Sequence, residues 1–126
     1  LTVFDTLDEL ETYLPLCPNL MHVITVLDRA LPYDQADGVY SVPECKDITY
    51  KVETFVTGPG LETEKRAGVI TVEITLKGDQ FVSFKEPESV YRLSIGRFLL
   101  SDGGYRRAIA PNLAEEIKTV RFYLPC

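Results

Sequence analysis

Toward the middle of the chain Thr71, Glu73 and Thr75 alternate with Ile70, Val72, Ile74 and Leu76, and near its end Thr119, Arg121 and Tyr123 alternate with Val120, Phe122 and Leu124. Period-two alternation gathers the polar members of a strand on one face. A glutamate, an arginine and a tyrosine on such faces supply an acceptor, a charge-assisted donor and a planar ring, the groups a polyhydroxylated molecule calls for. The carboxylate also qualifies as a general base. Two environments are open to these side chains. On the wet face of an antiparallel sheet they are ordinary solvated residues, and Glu73 with Arg121 forms a cross-strand pair contributing ~0.2–1 kcal/mol. Inside a small barrel they line a cavity.

Other chemistries lack their residues. His22, the single histidine, falls in a helical pattern between Met21 and Val23, and no G-x-S-x-G turn accompanies it, so it reads as a packing or surface histidine. The "GPG" at Gly58 to Gly60 lacks the strand and helix that would aim backbone N–H groups at a phosphate. With 13 basic against 19 acidic side chains and a net charge of −6, the chain repels a phosphate backbone, and no Lys/Arg run offsets this. Nucleic acid and anionic membrane are therefore excluded as partners. No apolar stretch reaches the ~20 residues of a membrane span. Cys17, Cys45 and Cys126 are odd in number and form no C-x-x-C pair, which suggests neither a zinc ribbon nor a disulfide framework and fits a reducing cytoplasm.

The elements that position the polar faces follow from pattern. A chain of 126 residues, 45% hydrophobic, makes one domain with its own core. Thr6 and Glu9 stand at capping-box spacing before Leu7, Leu10 and Leu14, which predicts a short helix ended by Pro15. Pro18 then precedes Leu20, Val23, Ile24, Leu27 and Leu31 at helical spacing, a second helix stopped by Pro32. From Val39 the period changes to two: Ile48, Tyr50, Val52 and Val56 oppose Thr49, Lys51, Glu53 and Phe55, and further short strands follow, separated by "KGD", "EPES", Gly96, "DGG" and "PNLAEE". This order predicts a helical layer over residues 1–36 and an antiparallel sandwich or barrel over 37–126, together one domain.

The segments "VFDTLDELETYLP", "LDRALPYDQADGVYSV", "LETEKRAGVITVEITLKGD", "LSIGRFLL" and "EEIKTVRFYL" stand in the order found in the YhcH/YjgK/YiaL family, and the chain resembles that family over nearly its whole length. The resemblance implies a cupin-like antiparallel β-sandwich, a jelly-roll barrel with two short N-terminal helices. It also implies an association with sugar metabolism, and it links the chain to the β subunit of the evolved β-galactosidase. Relatives hold a divalent metal through histidine and acidic residues, and their strand-opening motif reads approximately E-x-H-R-x-Y-I-D-I-Q. Laid on this motif, Glu64 keeps the glutamate, Arg66 replaces the histidine, Thr71 the aspartate and Glu73 the glutamine. A second family histidine falls at Arg107, although the Arg106–Arg107 pair leaves open which side chain points inward, and a family lysine falls at Tyr123. An arginine is a permanent cation in place of an imidazole ligand, so the expectation is a chain without the metal or any other cofactor.

Joined to the inward reading of the strands, the resemblance implies an anomerase or epimerase acting on a free sugar, and arginines in place of histidines favour an acidic one. Opening a hemiacetal ring needs a base and an acid flanking the sugar, a task typically worth ~10²–10⁴-fold in rate. Glu73 is the expected base and Glu64 or Tyr123 the proton donor, with Arg66, Thr71, Thr75, Arg107 and Arg121 binding substrate. The competing expectations are a non-catalytic module that binds a sugar or small anion, and an accessory subunit, acting as a homodimer or beside a partner chain.

Overall fold

Alternating sequence becomes two sheets in the computed structural model, which describes residues 1–55, 61–63, 67–85, 88–102, 104–109 and 116–125. The strands are β1 (Thr2–Thr6), β2 (Gly38–Val42), β3 (Cys45–Phe55), β4 (Leu61–Glu62), β5 (Val69–Lys77), β6 (Gln80–Lys85), β7 (Glu88–Leu93), β8 (Arg97–Ser101), β9 (Arg106–Ile109) and β10 (Ile117–Pro125). A six-stranded sheet runs β1-β8-β5-β10-β3-β2 and a four-stranded sheet β4-β9-β6-β7, with every pairing antiparallel. Gly78 turns the corner from β5 in one sheet to β6 in the other. Its φ of +79° suits a residue without Cβ, and an added Cβ would stand 2.9 Å from the Glu116 carbonyl oxygen.

The N-terminal layer is a 3-10 helix (Leu7–Tyr13), α1 (Leu20–Asp28) and the single turn α2 (Leu31–Asp34). Leu10, Leu20, Val23 and Val26 from these helices are buried against Ile48, Tyr50, Val52, Val72, Ile74, Phe98, Leu100, Val120, Phe122 and Leu124 of the large sheet. The helices thus cover one face of that sheet and the small sheet covers the other. Strand β5 is accordingly buried on both faces from Thr71 to Leu76.

Three expectations are corrected here. The capping box does not form: Thr6 is extended, makes no side-chain cap, and ends β1 opposite Arg97. Strand pairing takes residues 2–6, and Glu9 instead accepts from the Thr12 hydroxyl at 2.9 Å. The second helix stops at Asp28, before Pro32, because Ala30 adopts a left-handed φ of 55°; Pro32 is then buried in the first turn of α2. Cys17 is buried and disulfide-bonded while Cys45 is free, so cysteine usage no longer argues for a reducing compartment. Disulfide pairing depends on which distant positions the fold brings together, and spacing in the sequence does not report that. Among the described residues no helix is long and apolar enough to cross a membrane.

Candidate functional site

Strand β10 lies between β5 and β3. Its register sets Thr71 opposite Tyr123, Glu73 opposite Arg121 and Thr75 opposite Thr119, while on the other side Arg121 meets Lys51 and Thr119 meets Glu53. Since Val72, Ile74, Val120 and Phe122 pack on the helices, the alternating set points between the two sheets. Thr71, Glu73, Thr75, Thr119, Arg121 and Tyr123 are all buried there, with Glu73 at 0% exposure. The small sheet faces them with Gln80 on β6, Arg107 on β9 and Tyr105 just before β9.

These side chains form one network around two carboxylates. Glu73 Oε1 accepts from the Tyr105 hydroxyl at 2.8 Å and from Arg121 Nε at 3.0 Å, and Glu73 Oε2 accepts from Gln80 Nε2 at 2.8 Å. Arg121 reaches diagonally across its neighbouring strand, donating Nη2 to Glu53 Oε1 at 2.9 Å, and Nη1 to the Tyr123 hydroxyl at 3.2 Å. Arg107 approaches Glu53 at 3.4 and 3.5 Å, lies 3.9 Å from Glu73 Oε1, and sits over the Phe55 ring at 5.3 Å. Two guanidinium charges thereby offset two carboxylate charges, of which Glu73 is fully buried and Glu53 partly exposed. Burial, the largest single influence, would weaken the hold of Arg121 on its proton, but the Glu73 charge and hydrogen bond together with the Tyr105 and Tyr123 phenols outweigh it and the guanidinium is pushed further up. Burial, followed by the Glu73 charge, pushes the Tyr105 phenol well above its ordinary range.

Water reaches the network along β3. Glu53 keeps 21% of its side chain exposed and Lys51 43%, whereas Arg107 keeps 4%. On the side toward β7 and β8 the cluster is walled by Val82, Leu93, Leu99 and Tyr105. Two of the threonines are committed to holding strands together: Thr75 Oγ1 donates to the Leu93 carbonyl at 2.7 Å, linking the two sheets, and Thr71 Oγ1 donates to Ser101 O at 3.3 Å. Among the described residues, three buried polar atoms around the network have no hydrogen-bond partner: Arg107 Nε, Gln80 Oε1 and Thr119 Oγ1. Orphan atoms of this kind are rare in folded interiors and are free to exchange hydrogen bonds with a water or another small molecule.

The structure therefore brings together Glu73, Thr71, Thr75, Arg107, Arg121 and Tyr123 from the expected set, and shows Arg107 pointing inward. Glu64 and Arg66 lie outside the described residues. Sequence reading missed Glu53, Gln80 and Tyr105. Glu53 stood on the correct face of β3 by alternation, but no partner was assigned to it. Gln80 begins a strand and Tyr105 precedes one, where alternation does not yet define a face. Among the described residues no group of three or more His, Cys, Asp and Glu side chains is placed to hold a metal ion.

No protein-family model and no curated protein matches the chain. Solved structures do. A cupin protein from Bacteroides fragilis is similar with a TM-score of 0.53 at 12% identity, over 73% of this chain and 80% of that one. A cupin-2 domain containing protein from Shewanella frigidimarina is similar with a TM-score of 0.50 at 16% identity, over 82% and 96% of the two chains. The cobalt(II) form of HppE in complex with Tris buffer is similar with a TM-score of 0.54 at 10% identity, over 71% of this chain and 55% of that one. At such identities the likeness is one of fold: the chain is a cupin-like antiparallel β-sandwich, and its chemistry must be argued from its own side chains.

Proposed function

We propose that this chain is a non-catalytic, cupin-fold binding module for a small, uncharged, polyhydroxylated ligand such as a sugar, and a divergent relative of the YhcH/YjgK/YiaL proteins. One observation carries the reading: Glu73, the expected base, is fully enclosed and both of its oxygens are engaged by Tyr105, Arg121 and Gln80. General-base catalysis needs an oxygen within hydrogen-bond reach of the substrate proton, and here the protein's own donors hold those positions. Among the described residues, what the network leaves unengaged is one N–H donor, one carbonyl acceptor and one hydroxyl, on Arg107, Gln80 and Thr119. That set complements hydroxyl groups. Both guanidiniums face carboxylates, which removes the reason to favour an acidic sugar.

The donor set supports a metal-free site as well. A divalent ion seeks oxygen or imidazole ligands with open lone pairs, whereas the space between Glu53 and Glu73 is occupied by the Arg121 guanidinium at 2.9 and 3.0 Å. The catalytic reading keeps one supporting feature, the Tyr105 hydroxyl paired with the Glu73 carboxylate at 2.8 Å, since a phenol and a carboxylate together can move a proton. Exchange NMR on a panel of neutral and acidic free sugars separates the two. Ligand-induced shifts from neutral sugars with unchanged anomer exchange are expected. Accelerated exchange that disappears in Glu73→Gln would establish the anomerase instead, and an absence of shifts with every sugar would remove the binding module.

A further inference from the structure

Each sheet ends in two edge strands, and an edge offers unpaired backbone groups to any chain that can meet it. Among the described residues these edges are β1 and β2 in the large sheet and β4 and β7 in the small one. Strand β2 carries no charged residue and exposes Val39 at 66%; β1 carries one acid, Asp5, which accepts from the Tyr13 hydroxyl at 2.6 Å; β4 is two residues long. Strand β7 differs from all three.

In β7 the sequence is Glu88, Ser89, Val90, Tyr91, Arg92, Leu93. Tyr91 and Leu93 face the interior, where Leu93 is buried and Tyr91 packs against Phe4 and Phe84 with ring centroids 5.2 and 5.9 Å away. The alternate residues face outward: Glu88 is exposed, Val90 is 65% exposed, and the Arg92 side chain is 65% exposed even while Asp79 accepts from it at 2.6 Å. Opposite charges thus stand two residues either side of an exposed valine. Antiparallel pairing of this strand with a copy of itself, centred on Val90, sets Glu88 of each copy against Arg92 of the other and the two valines against each other. Parallel pairing would set like charge on like charge. Edge charges usually block such association, but here their order is self-complementary in the antiparallel sense alone, which is what a two-fold, isologous contact requires.

We infer that β7 is a homodimerisation edge, through which two copies join their small sheets into one continuous eight-stranded sheet about a two-fold axis at Val90. The contact lies on the far side of the small sheet from the water-accessible β3 end of the polar network, so dimer formation leaves ligand access open. It does not rest on the binding reading.

Sedimentation equilibrium on the whole chain tests it, with a dimer expected. Glu88→Arg replaces two attractive cross-strand pairs by two repulsive ones and should weaken the dimer by about tenfold or more. Its exposed position lets the thermal melt confirm that the fold is kept. Mixing Glu88→Arg chains with Arg92→Glu chains should restore association, because both heterologous pairs are then attractive. In a Cys45→Ser background, Val90→Cys should give a covalent dimer under mild oxidation, whereas Val39→Cys on the β2 edge should not. A chain that sediments as a monomer throughout would overturn the proposal. So would a dimer indifferent to Glu88→Arg that yields no Val90→Cys cross-link.

Discussion

The two faces of the β5-β10-β3 sheet enclose interiors of opposite character. Against the helices lie Ile48, Tyr50, Val52, Val72, Ile74, Val120, Phe122 and Leu124; one residue away on the same strands, against the small sheet, lie Glu53, Thr71, Glu73, Thr119, Arg121 and Tyr123. The first interior is held by area removed from water, at roughly 25 cal/mol per Å², with little demand on geometry. The second is held by directed bonds among charges whose burial is costly unless every partner is present. A slip of one residue in β10 would drive Arg121 into the helices and Phe122 into the carboxylates, so the polar face makes the register specific. One sheet therefore separates an interior held by burial from one held by directed bonds.

The sharpest way to break this contrast is to remove one charge from the polar side. Glu73→Ala leaves Arg121 buried with Glu53 as its one remaining carboxylate, strips the Tyr105 hydroxyl of its acceptor and leaves Gln80 Nε2 with Thr75 Oγ1 alone. Loss of one member of a buried pair typically costs ~3–5 kcal/mol, to be read as a drop in the urea midpoint. Replacing both members should hurt less. In Glu73→Leu/Arg121→Met no unpaired guanidinium remains from this pair, and Glu53 still has Arg107. A double variant as unstable as the single one would mean that the loss reflects misshapen packing and not an orphaned charge.

Much of this contrast was legible in the sequence. Alternation in residues 70–76 and 119–124 fixed which side chains share a face, and Glu73 with Arg121 does form the expected cross-strand pair. What alternation lacks is any sign of which face is wet: the same pattern describes a solvated sheet, and only the second sheet laid over it makes Glu73 an interior residue. Tyr105 and Gln80 were hidden because they stand at strand ends. Strand β1 was hidden because its partner, Arg97–Ser101, is remote in sequence and the local signal at Thr6 and Glu9 pointed to a helix. The disulfide of Cys17 shares that cause, a contact that exists only after the chain has folded.

A smaller effect, with a pH signature, comes from Tyr105→Phe. The variant loses a hydrogen bond to a charged acceptor, typically worth ~1.5–3 kcal/mol, while ring packing against Phe84 stays. Burial and the Glu73 charge raise the folded phenol well above its ordinary value, whereas the unfolded chain releases that proton near pH 10. The contribution is thus fully present below about pH 10. Above it the folded state binds more protons than the unfolded one, and stability falls as pH rises. Urea melts between pH 7 and 11 should show a steeper alkaline loss in the wild type than in Tyr105→Phe. Tyr13, raised by its bond to Asp5, and Tyr50, raised by burial, leave a residual slope in both.

The smallest effect belongs to the apolar side, on the same strand and one residue from Glu73. Ile74 is fully buried between Val120 and Phe98, so Ile74→Val removes one methylene from close packing and should cost ~0.5–1.5 kcal/mol. No titratable group changes surroundings, and the loss should be the same at pH 7 and pH 11 and at low and high salt. Coupling is the more telling measurement. If the sheet insulates its two faces, Ile74→Val and Tyr105→Phe should add to within ~0.5 kcal/mol, as separate sites without shared partners do. A larger interaction energy would mean that β5 transmits strain between the interiors, and that the helix layer participates in shaping the polar network.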